Sequence, residues 1–196
     1  MPAKPFVLYL LGFLSSPQSK KAQQTIAYCK KTNPPYRITV PKMSSGPADT
    51  IKQLQALIES HQQDQLVLIG SSLGGYYATY LSEYYGIPAV LINPAVRPYD
   101  LWETHLGEHR NYYSNEIHTI GREDIQELKE LDVLQLKSPA NFMLLVQTGD
   151  EVLDYRQAVD KFSSSECIIR ENGSHSYENF SAELPAIFKF LLPGAS

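Results

Sequence analysis

Two adjacent serines, Ser71 and Ser72, lie between glycines in the stretch LVLIGSSLGGYYATYLSEYYG. Residues 70–74 fit the pattern G-x-S-x-G; the apolar run before them predicts a strand, and the segment after them predicts a helix. A nucleophilic serine on such a turn needs glycines around it, because a Cβ there would clash with the closely approaching backbone. Ser72, the central residue, is therefore the candidate nucleophile, whereas Ser71 is expected to point back into the turn.

The same pattern also has a purely structural interpretation, since Gly-rich turns between strand and helix are common in doubly wound sheets. A serine hydroxyl is a weak nucleophile unless a base takes its proton and an acid orients that base. The helix after Ser72 would aim free N–H groups at an anionic intermediate, and the Leu73 N–H is one expected donor. The motif therefore needs partners elsewhere in the chain.

Candidates for the acid and the base follow two later apolar runs. The run FMLLVQ is followed by TGDEVLDY, and CIIRE is followed by NGSHSYENF. In enzymes with this serine turn, the acid and then the base follow the serine along the chain, each on a loop that leaves a strand. This order favours Asp150 as the acid and His175 as the base. Glu151 and Asp154 are alternative acids, and Asp150 is preferred because it is nearest to the strand end.

The elements that must position these residues alternate along the chain. Short apolar runs predict six strands: FVLYLL, RITV, LVLIG, PAVLIN, FMLLVQ and CIIRE. Amphipathic segments predict the helices: SKKAQQTIAYCKK, ADTIKQLQALIESH, GGYYATYLSEYYG, YRQAVDKF and AELPAIFKFLL. This alternation is typical of a parallel sheet covered by helices on both faces. We predict an α/β fold in one domain that spans residues 1–196.

Between about residues 95 and 138 the alternation weakens into a polar, aromatic stretch. A helix is predicted from about residue 122 to residue 131, and the rest is predicted to be a cap-like excursion outside the sheet. Long segments of this kind often form lids or binding loops. Trp102, Tyr112 and Tyr113 lie in the excursion and are candidates for the lining of an acyl pocket.

Composition narrows the classes of partner and location. The chain has 196 residues and a formal net charge of −4, and its Lys and Arg residues are scattered, so we expect no nucleic-acid partner. No apolar stretch reaches the length of a membrane span. The first apolar run lacks a cleavage site after it and is interpreted as a strand, not a signal peptide. Cys29 and Cys167 have core-like neighbours and are predicted to be buried thiols, which fits the cytoplasm.

Five blocks of the sequence together resemble one known family. LYLLGFLSSP, GSSLGGYYATYL, NPAVRPYDL, QTGDEVLDYRQAV and GSHSYENF are similar, in order and spacing, to the YqiA-type esterases of the α/β-hydrolase superfamily. The resemblance covers nearly the whole chain. It implies a doubly wound, mostly parallel sheet of six to seven strands and a triad of Ser72, Asp150 and His175. It also implies hydrolysis of a small-molecule carboxylic ester or acyl thioester. We expect no cofactor and no metal.

One position departs from the family pattern. The family usually reads His-Gly-Phe after the first strand, and this chain has Leu11-Gly12-Phe13. In such proteins this loop supplies the second oxyanion N–H, here expected from Phe13, and the histidine helps to hold the loop. Leu11 cannot form that hydrogen bond, so Leu11→His is expected to raise turnover, and a catalytically weakened binding protein becomes an alternative function. The competing interpretation is that Leu11 simply ends a buried strand.

A second motif suggests a different chemistry. Residues 105–109, HLGEH, fit the zinc-peptidase pattern H-x-x-E-H, in which His105 and His109 would bind metal from one helical turn and Glu108 would act as base. The central Gly107 weakens the required helix, and the family resemblance does not extend to these histidines. Metal catalysis is therefore the least favoured alternative.

Overall fold

The computed structural model describes residues 5–44, 46–111 and 113–194. The strands are β1 (Pro5–Leu10), β2 (Arg37–Thr39), β3 (Gln65–Ser71), β4 (Ala89–Ile92), β5 (Gly107–Arg110), β6 (Ile117–Ile120), β7 (Phe142–Gln147) and β8 (Glu166–Arg170). The helices are α1 (Lys20–Lys31), α2 (Pro47–Glu59), α3 (Leu73–Tyr85), α4 (Pro98–Glu103), α5 (Arg122–Glu130), α6 (Tyr155–Lys161) and α7 (Leu184–Leu191). Two short 3₁₀ turns, Pro139–Asn141 and Phe180–Ala182, complete these elements.

Six of the strands form one sheet in the order β2-β1-β3-β4-β7-β8, and every neighbouring pair is parallel. These are the six strands that the apolar runs predicted, so the parallel sheet is confirmed. Because parallel strands end at the same edge, the loops after β1, β3, β4, β7 and β8 lie together there. That edge is where the candidate acid, base and nucleophile all occur.

The central strands are buried on both faces, which explains why they read as unbroken apolar runs. Alternate residues of β1 enter different clusters: Leu8 and Leu10 pack with α2 and α3, whereas Val7 and Tyr9 pack with α1 and α7. This period of two places helices on both sides of the sheet. The fold is therefore doubly wound, as predicted.

The excursion contains more regular structure than the sequence indicated. It comprises α4, an antiparallel pair formed by β5 and β6, and α5, which matches the helix predicted there. The excursion packs on the helical layer: the Tyr76 hydroxyl of α3 donates to the Leu128 carbonyl oxygen at 2.6 Å, and Glu127 accepts from the Ala48 N–H of α2. These hydrogen bonds hold the excursion against helices α2 and α3.

The predictions for the two cysteines have different outcomes. Cys29 is buried as predicted, but the prediction for Cys167 is wrong, since Cys167 is exposed. The reason is that β8 is an edge strand, which no further strand covers. Among the described residues, no helix is long and apolar enough to cross a membrane.

Candidate active site

Ser72 lies in the turn between β3 and α3 with φ 55° and ψ −121°. A non-glycine residue rarely adopts a positive φ, and such strain persists where the surrounding structure imposes it. The flanking glycines permit the close approach: a Cβ on Gly70 would overlap the backbone of Gly74, and a Cβ on Gly74 would overlap the Leu10 carbonyl. The turn is thus tightly packed between β1, β3 and α3, and it presents the Ser72 side chain at the sheet edge.

The structure brings Ser72, His175 and Asp150 together at that edge. The Ser72 Oγ lies 3.0 Å from the His175 Nε2, and the His175 Nδ1 lies 2.8 Å from the Asp150 Oδ2. His175 comes from the loop after β8 and Asp150 from the loop after β7. The Asp150 side chain is 1% exposed and that of His175 is 22% exposed. Asp150 is thus enclosed, whereas the His175 imidazole remains partly accessible from outside.

The environment of Asp150 favours its ionised form. Its Oδ1 accepts hydrogen bonds from the N–H groups of Val152 and Leu153, at 2.9 Å and 2.8 Å. Burial by itself raises the pKa of Asp150, but the hydrogen bond with His175 and those from the backbone outweigh it, so the pKa lies below its ordinary value. A carboxylate in this state can orient the imidazole.

The two alternative acids have other roles. The Asp154 Oδ1 accepts from the Arg156 N–H at 3.1 Å and so caps the start of α6. The Glu151 Oε2 accepts from the backbone N–H of His175 at 2.9 Å, which holds the loop but not the ring. Of these three carboxylates, Asp150 is the one that contacts the imidazole.

Two backbone N–H groups adjoin Ser72. Leu73 is the first residue of α3, and Phe13 lies in the loop after β1. Neither N–H donates a hydrogen bond to another residue of the described chain. The loop is close, because a Cβ on Gly12 would lie 3.1 Å from the Ser72 Cβ. Free donors beside a serine are the arrangement that an oxyanion hole requires.

Leu11 is a core residue. Its side chain is 2% exposed and packs in the cluster of Val7 and Tyr9, on the same face of β1. Leu11 directly follows β1 and continues its buried face, so the structure favours the interpretation that Leu11 serves the core. A histidine at this position would place a polar ring among apolar side chains, which removes the basis for expecting Leu11→His to raise turnover.

Sequence reasoning missed two buried amides that hold the His175 loop. The Asn93 Nδ2 donates to the carbonyl oxygens of Ser174 and His175, at 3.0 Å and 3.1 Å. The Gln147 Oε1 accepts from the N–H groups of Ser174 and Glu178, at 3.1 Å and 2.8 Å. Both amides are polar residues at the ends of buried apolar runs, in PAVLIN and FMLLVQ. A polar residue at the end of a buried apolar run is the sequence signal that could have identified them.

Lys21 is a third support of this loop that the sequence did not reveal. Its Nζ donates to the Ser176 carbonyl oxygen at 2.8 Å. Burial lowers the pKa of Lys21 to about 8, although the charge of Asp150 acts in the opposite direction. The partly desolvated ammonium of Lys21 thus lies on the side of the site where Asp150 is located.

A cavity of about 140 Å³ lies beside the two free N–H groups. Its wall includes the loop residues Gly12 and Phe13 together with Leu73, and Trp102 of α4 also lines it, as predicted. Tyr113 is 55% exposed and is not part of this wall. Tyr112, the third predicted aromatic, lies outside the described residues.

The zinc-peptidase pattern lacks the geometry that it requires. His105 follows α4, while Glu108 and His109 belong to strand β5, so no helical turn aligns the two histidines. The His109 Nε2 lies 2.7 Å from the His105 carbonyl oxygen. Within the described part of the chain, no group of three or more His, Cys, Asp or Glu side chains could hold a metal ion.

Comparison with known proteins gives a family and a fold. The model of a family described as "Uncharacterised protein family (UPF0227)" matches residues 6–192. The structure is similar to alpha/beta hydrolase domain-containing protein 10 from mouse, with a TM-score of 0.78 and 17% identity over 100% of this chain and 93% of that chain.

Two further solved structures have the same fold. Est1E from Butyrivibrio proteoclasticus with bound ferulic acid has a TM-score of 0.71 and 12% identity, over 97% of this chain and 89% of that chain. The esterase domain of a Rhodothermus marinus protein has a TM-score of 0.67 and 16% identity, over 100% of this chain and 88% of that chain. At these identities the likeness concerns the fold, and it confirms the predicted α/β-hydrolase class.

Proposed function

The chain belongs to UPF0227, the family of the YqiA-type esterases, and on that premise we propose that it is a serine hydrolase acting on carboxylic esters or acyl thioesters. One observation carries the proposal: the Ser72 Oγ, the His175 imidazole and the Asp150 carboxylate form a continuous hydrogen-bonded chain. Two unpaired N–H groups, those of Leu73 and Phe13, adjoin it. A nucleophile, a base, an orienting acid and oxyanion donors are the parts that acyl transfer needs.

In the first half of the reaction, the Ser72 Oγ attacks the carbonyl carbon of the substrate. The His175 Nε2 takes the hydroxyl proton, and Asp150 stabilises the resulting imidazolium and keeps the ring in position. The carbonyl oxygen becomes an oxyanion and accepts hydrogen bonds from the N–H groups of Leu73 and Phe13. Collapse of this intermediate breaks the ester or thioester bond, and the imidazolium gives its proton to the leaving alkoxide or thiolate.

In the second half, a water molecule replaces the leaving group. The His175 Nε2 takes a proton from this water as it attacks the acyl carbon of the Ser72 ester. The same two N–H groups stabilise the second oxyanion. Collapse releases the carboxylic acid and returns the proton to the Ser72 Oγ, so the enzyme is regenerated without a cofactor.

The fold neighbours support this class of reaction. One of them is named an esterase domain, and another, Est1E, is described with bound ferulic acid. The alternative of a weakened binding protein rested on Leu11, and Leu11 leaves the Phe13 N–H unpaired. No observation in the described site therefore favours binding over catalysis.

The proposal is tested by steady-state hydrolysis of p-nitrophenyl butanoate and of a butanoyl thioester. Replacing Ser72 by Ala is expected to reduce turnover by a factor on the order of a million, as expected when the three residues act as a unit. Ser71→Ala is the matched control, because Ser71 is buried next to Tyr9 and does not contact His175. Substantial turnover by Ser72→Ala together with loss in Ser71→Ala would contradict the proposal.

A further inference from the structure

Asn93 lies where the turn of Ser72 meets the loop of His175. It directly follows β4, a central strand of the sheet. The residue is 2% exposed and has φ 39°, which lies in the left-handed region. Asparagine enters this region more readily than most other residues, but such a conformation persists only where the surrounding structure imposes it. The contacts of a buried polar residue in this conformation therefore indicate what it does for the site.

The backbone on either side of Asn93 holds the Ser72 turn. The Ser72 N–H donates to the Ile92 carbonyl oxygen at 3.0 Å, and the Ala95 N–H donates to the Ser72 carbonyl oxygen at 3.1 Å. The Asn93 N–H donates to the Leu145 carbonyl oxygen of β7 at 2.8 Å. The segment that carries Asn93 is thus fixed both to the proposed nucleophile and to the neighbouring strand.

The side chain of Asn93 holds the loop of the proposed base. Its Nδ2 donates to the carbonyl oxygens of Ser174 and His175, at 3.0 Å and 3.1 Å. Its Oδ1 accepts from the Gln147 N–H at 3.0 Å, which fixes the orientation of the carboxamide. Leaving a buried amide without its partners is costly, so this orientation is strongly preferred. The carboxamide therefore ties the His175 backbone to the segment that holds Ser72.

Three other side chains hold the loop of His175: those of Lys21, Gln147 and Glu151. They come from α1, from the end of β7 and from the loop that follows β7. Of these four supports, Asn93 is the one whose own segment also holds Ser72. A change at Asn93 should consequently act on the separation between the Ser72 Oγ and the His175 Nε2, which is 3.0 Å.

We propose that Asn93 is a positioning residue: its carboxamide keeps the His175 imidazole within hydrogen-bond distance of the Ser72 hydroxyl. This proposal rests on the proposed function, in which the imidazole takes the hydroxyl proton. Proton transfer to a base requires a heavy-atom distance of about 2.6–3.2 Å. A displacement of about 1 Å in a reacting group reduces the rate about a hundredfold. Asn93 thus contributes to turnover through the position of His175 and not as a group that reacts.

Two variants remove the hydrogen bonds of Asn93 but accept its backbone conformation. Asn93→Gly deletes the carboxamide, and glycine adopts a positive φ without strain. Asn93→Asp keeps the size and the acceptor for the Gln147 N–H, but it places an oxygen against two carbonyl oxygens of the His175 loop. For p-nitrophenyl butanoate, kcat is expected to fall on the order of a hundredfold in each variant, whereas KM should change much less. Such a split indicates a loss in the chemical steps.

Ser82→Ala is the matched control for lost stability. The Ser82 side chain is buried, and its Oγ donates to the Ile87 carbonyl oxygen at 2.6 Å, so this too is a hydrogen bond from a buried side chain to the backbone. Ile87 precedes β4, however, whereas Asn93 follows it. Ser82→Ala should lower the Tm and keep the wild-type kcat. An equal fall in kcat in Ser82→Ala and Asn93→Gly would show that lost stability alone explains the effect, and it would overturn the proposal.

A crystal structure of Asn93→Asp supplies the second measurement. The Ser72 Oγ and the His175 Nε2 are expected to lie beyond hydrogen-bond distance, more than about 3.5 Å apart. Wild-type kcat in both Asn93 variants, or a retained separation of 3.0 Å in a variant with reduced kcat, would overturn the proposal. Turnover that is unchanged in the Asn93 variants but lost in Ser72→Ala would leave the proposed function intact. Turnover that survives Ser72→Ala would contradict that function itself.

Discussion

Gly12 lies directly against Ser72: a methyl group on Gly12 would be 3.1 Å from the Ser72 Cβ and 3.7 Å from its Oγ. The two residues follow neighbouring parallel strands, β1 and β3, so the register of the sheet fixes their separation. The Phe13 N–H comes next in the chain after Gly12. The proposed nucleophile and one proposed oxyanion donor are thus held together by the backbone and not by a side-chain hydrogen bond.

Gly12→Ala is therefore expected to displace either the loop or Ser72 by a few tenths of an ångström. We expect kcat to fall on the order of tenfold, because a displacement of 1 Å at a reacting centre costs about a hundredfold. The Tm should change little. Gly121→Ala is the matched control, since a Cβ there meets only ordinary contacts, and it should leave kcat unchanged. A Gly12→Ala enzyme with wild-type kcat would contradict this role for the loop.

Asp150→Asn is expected to reduce kcat on the order of ten-thousand-fold, because an amide no longer holds the imidazole in the required tautomer. Asp154→Asn is the control, since asparagine also caps a helix and Asp154 does not contact His175. Comparison of the two kcat values decides the assignment. A larger loss in Asp154→Asn than in Asp150→Asn would reverse it.

Much of this arrangement could be predicted because it follows from local patterns. Each of Ser72, Asp150 and His175 follows an apolar run, and parallel strands bring such positions to one edge. The order of the three residues along the chain indicated which was the candidate acid and which the candidate base. The six strands were readable for the same reason, since strands buried on both faces form continuous apolar runs.

Other features could not be predicted because they depend on contacts between distant segments. The hydrogen bonds of Asn93 and Gln147 join the ends of β4 and β7 to the loop after β8. The strands β5 and β6 are short and polar, and only their pairing reveals them. Cys167 was misplaced because sequence alone does not show that β8 is at the sheet edge. The extent of the single domain stays a prediction.

Leu11→His is expected to destabilise the protein without raising turnover. The ring would be buried without a polar partner, at a cost of about 1–3 kcal/mol. For a chain of this size that corresponds to a fall in Tm of roughly 2–12 °C. Leu11→Met, which conserves most of the volume, should change Tm much less. Higher kcat in Leu11→His at an unchanged Tm would show instead that the absence of the family's histidine lowers turnover in this protein.

Lys21 gives the stability of the protein a distinct dependence on pH. Burial lowers the pKa of Lys21 to about 8 in the folded state, so this lysine loses its proton above pH 8. In the unfolded state its pKa is about 10.4, the ordinary value for lysine, so it keeps the proton up to that pH. The unfolded state then binds more protons, and this contribution to the free energy of unfolding rises with pH. Below pH 8 the cost of the buried charge is present in full.

Lys21→Met is therefore expected to gain stability relative to the wild type at pH 7, and the difference should narrow between pH 8 and pH 10 (pKa of Lys21 about 8). Denaturant unfolding at several pH values measures it. Lys20→Met, at the exposed neighbouring position, is the control and should keep the wild-type pH dependence. A difference that stays constant from pH 7 to pH 10 would contradict this account.

The central claim is that Ser72 forms the acyl-enzyme, and covalent labelling tests it most directly. A fluorophosphonate probe is incubated with the wild type, Ser72→Ala and Ser71→Ala, and fragmentation of the labelled peptide by mass spectrometry locates the adduct. We predict one adduct on Ser72 with parallel loss of esterase activity, the same adduct in Ser71→Ala, and none in Ser72→Ala. An adduct on Ser71, or full esterase activity in a protein whose Ser72 stays unlabelled, would contradict the account.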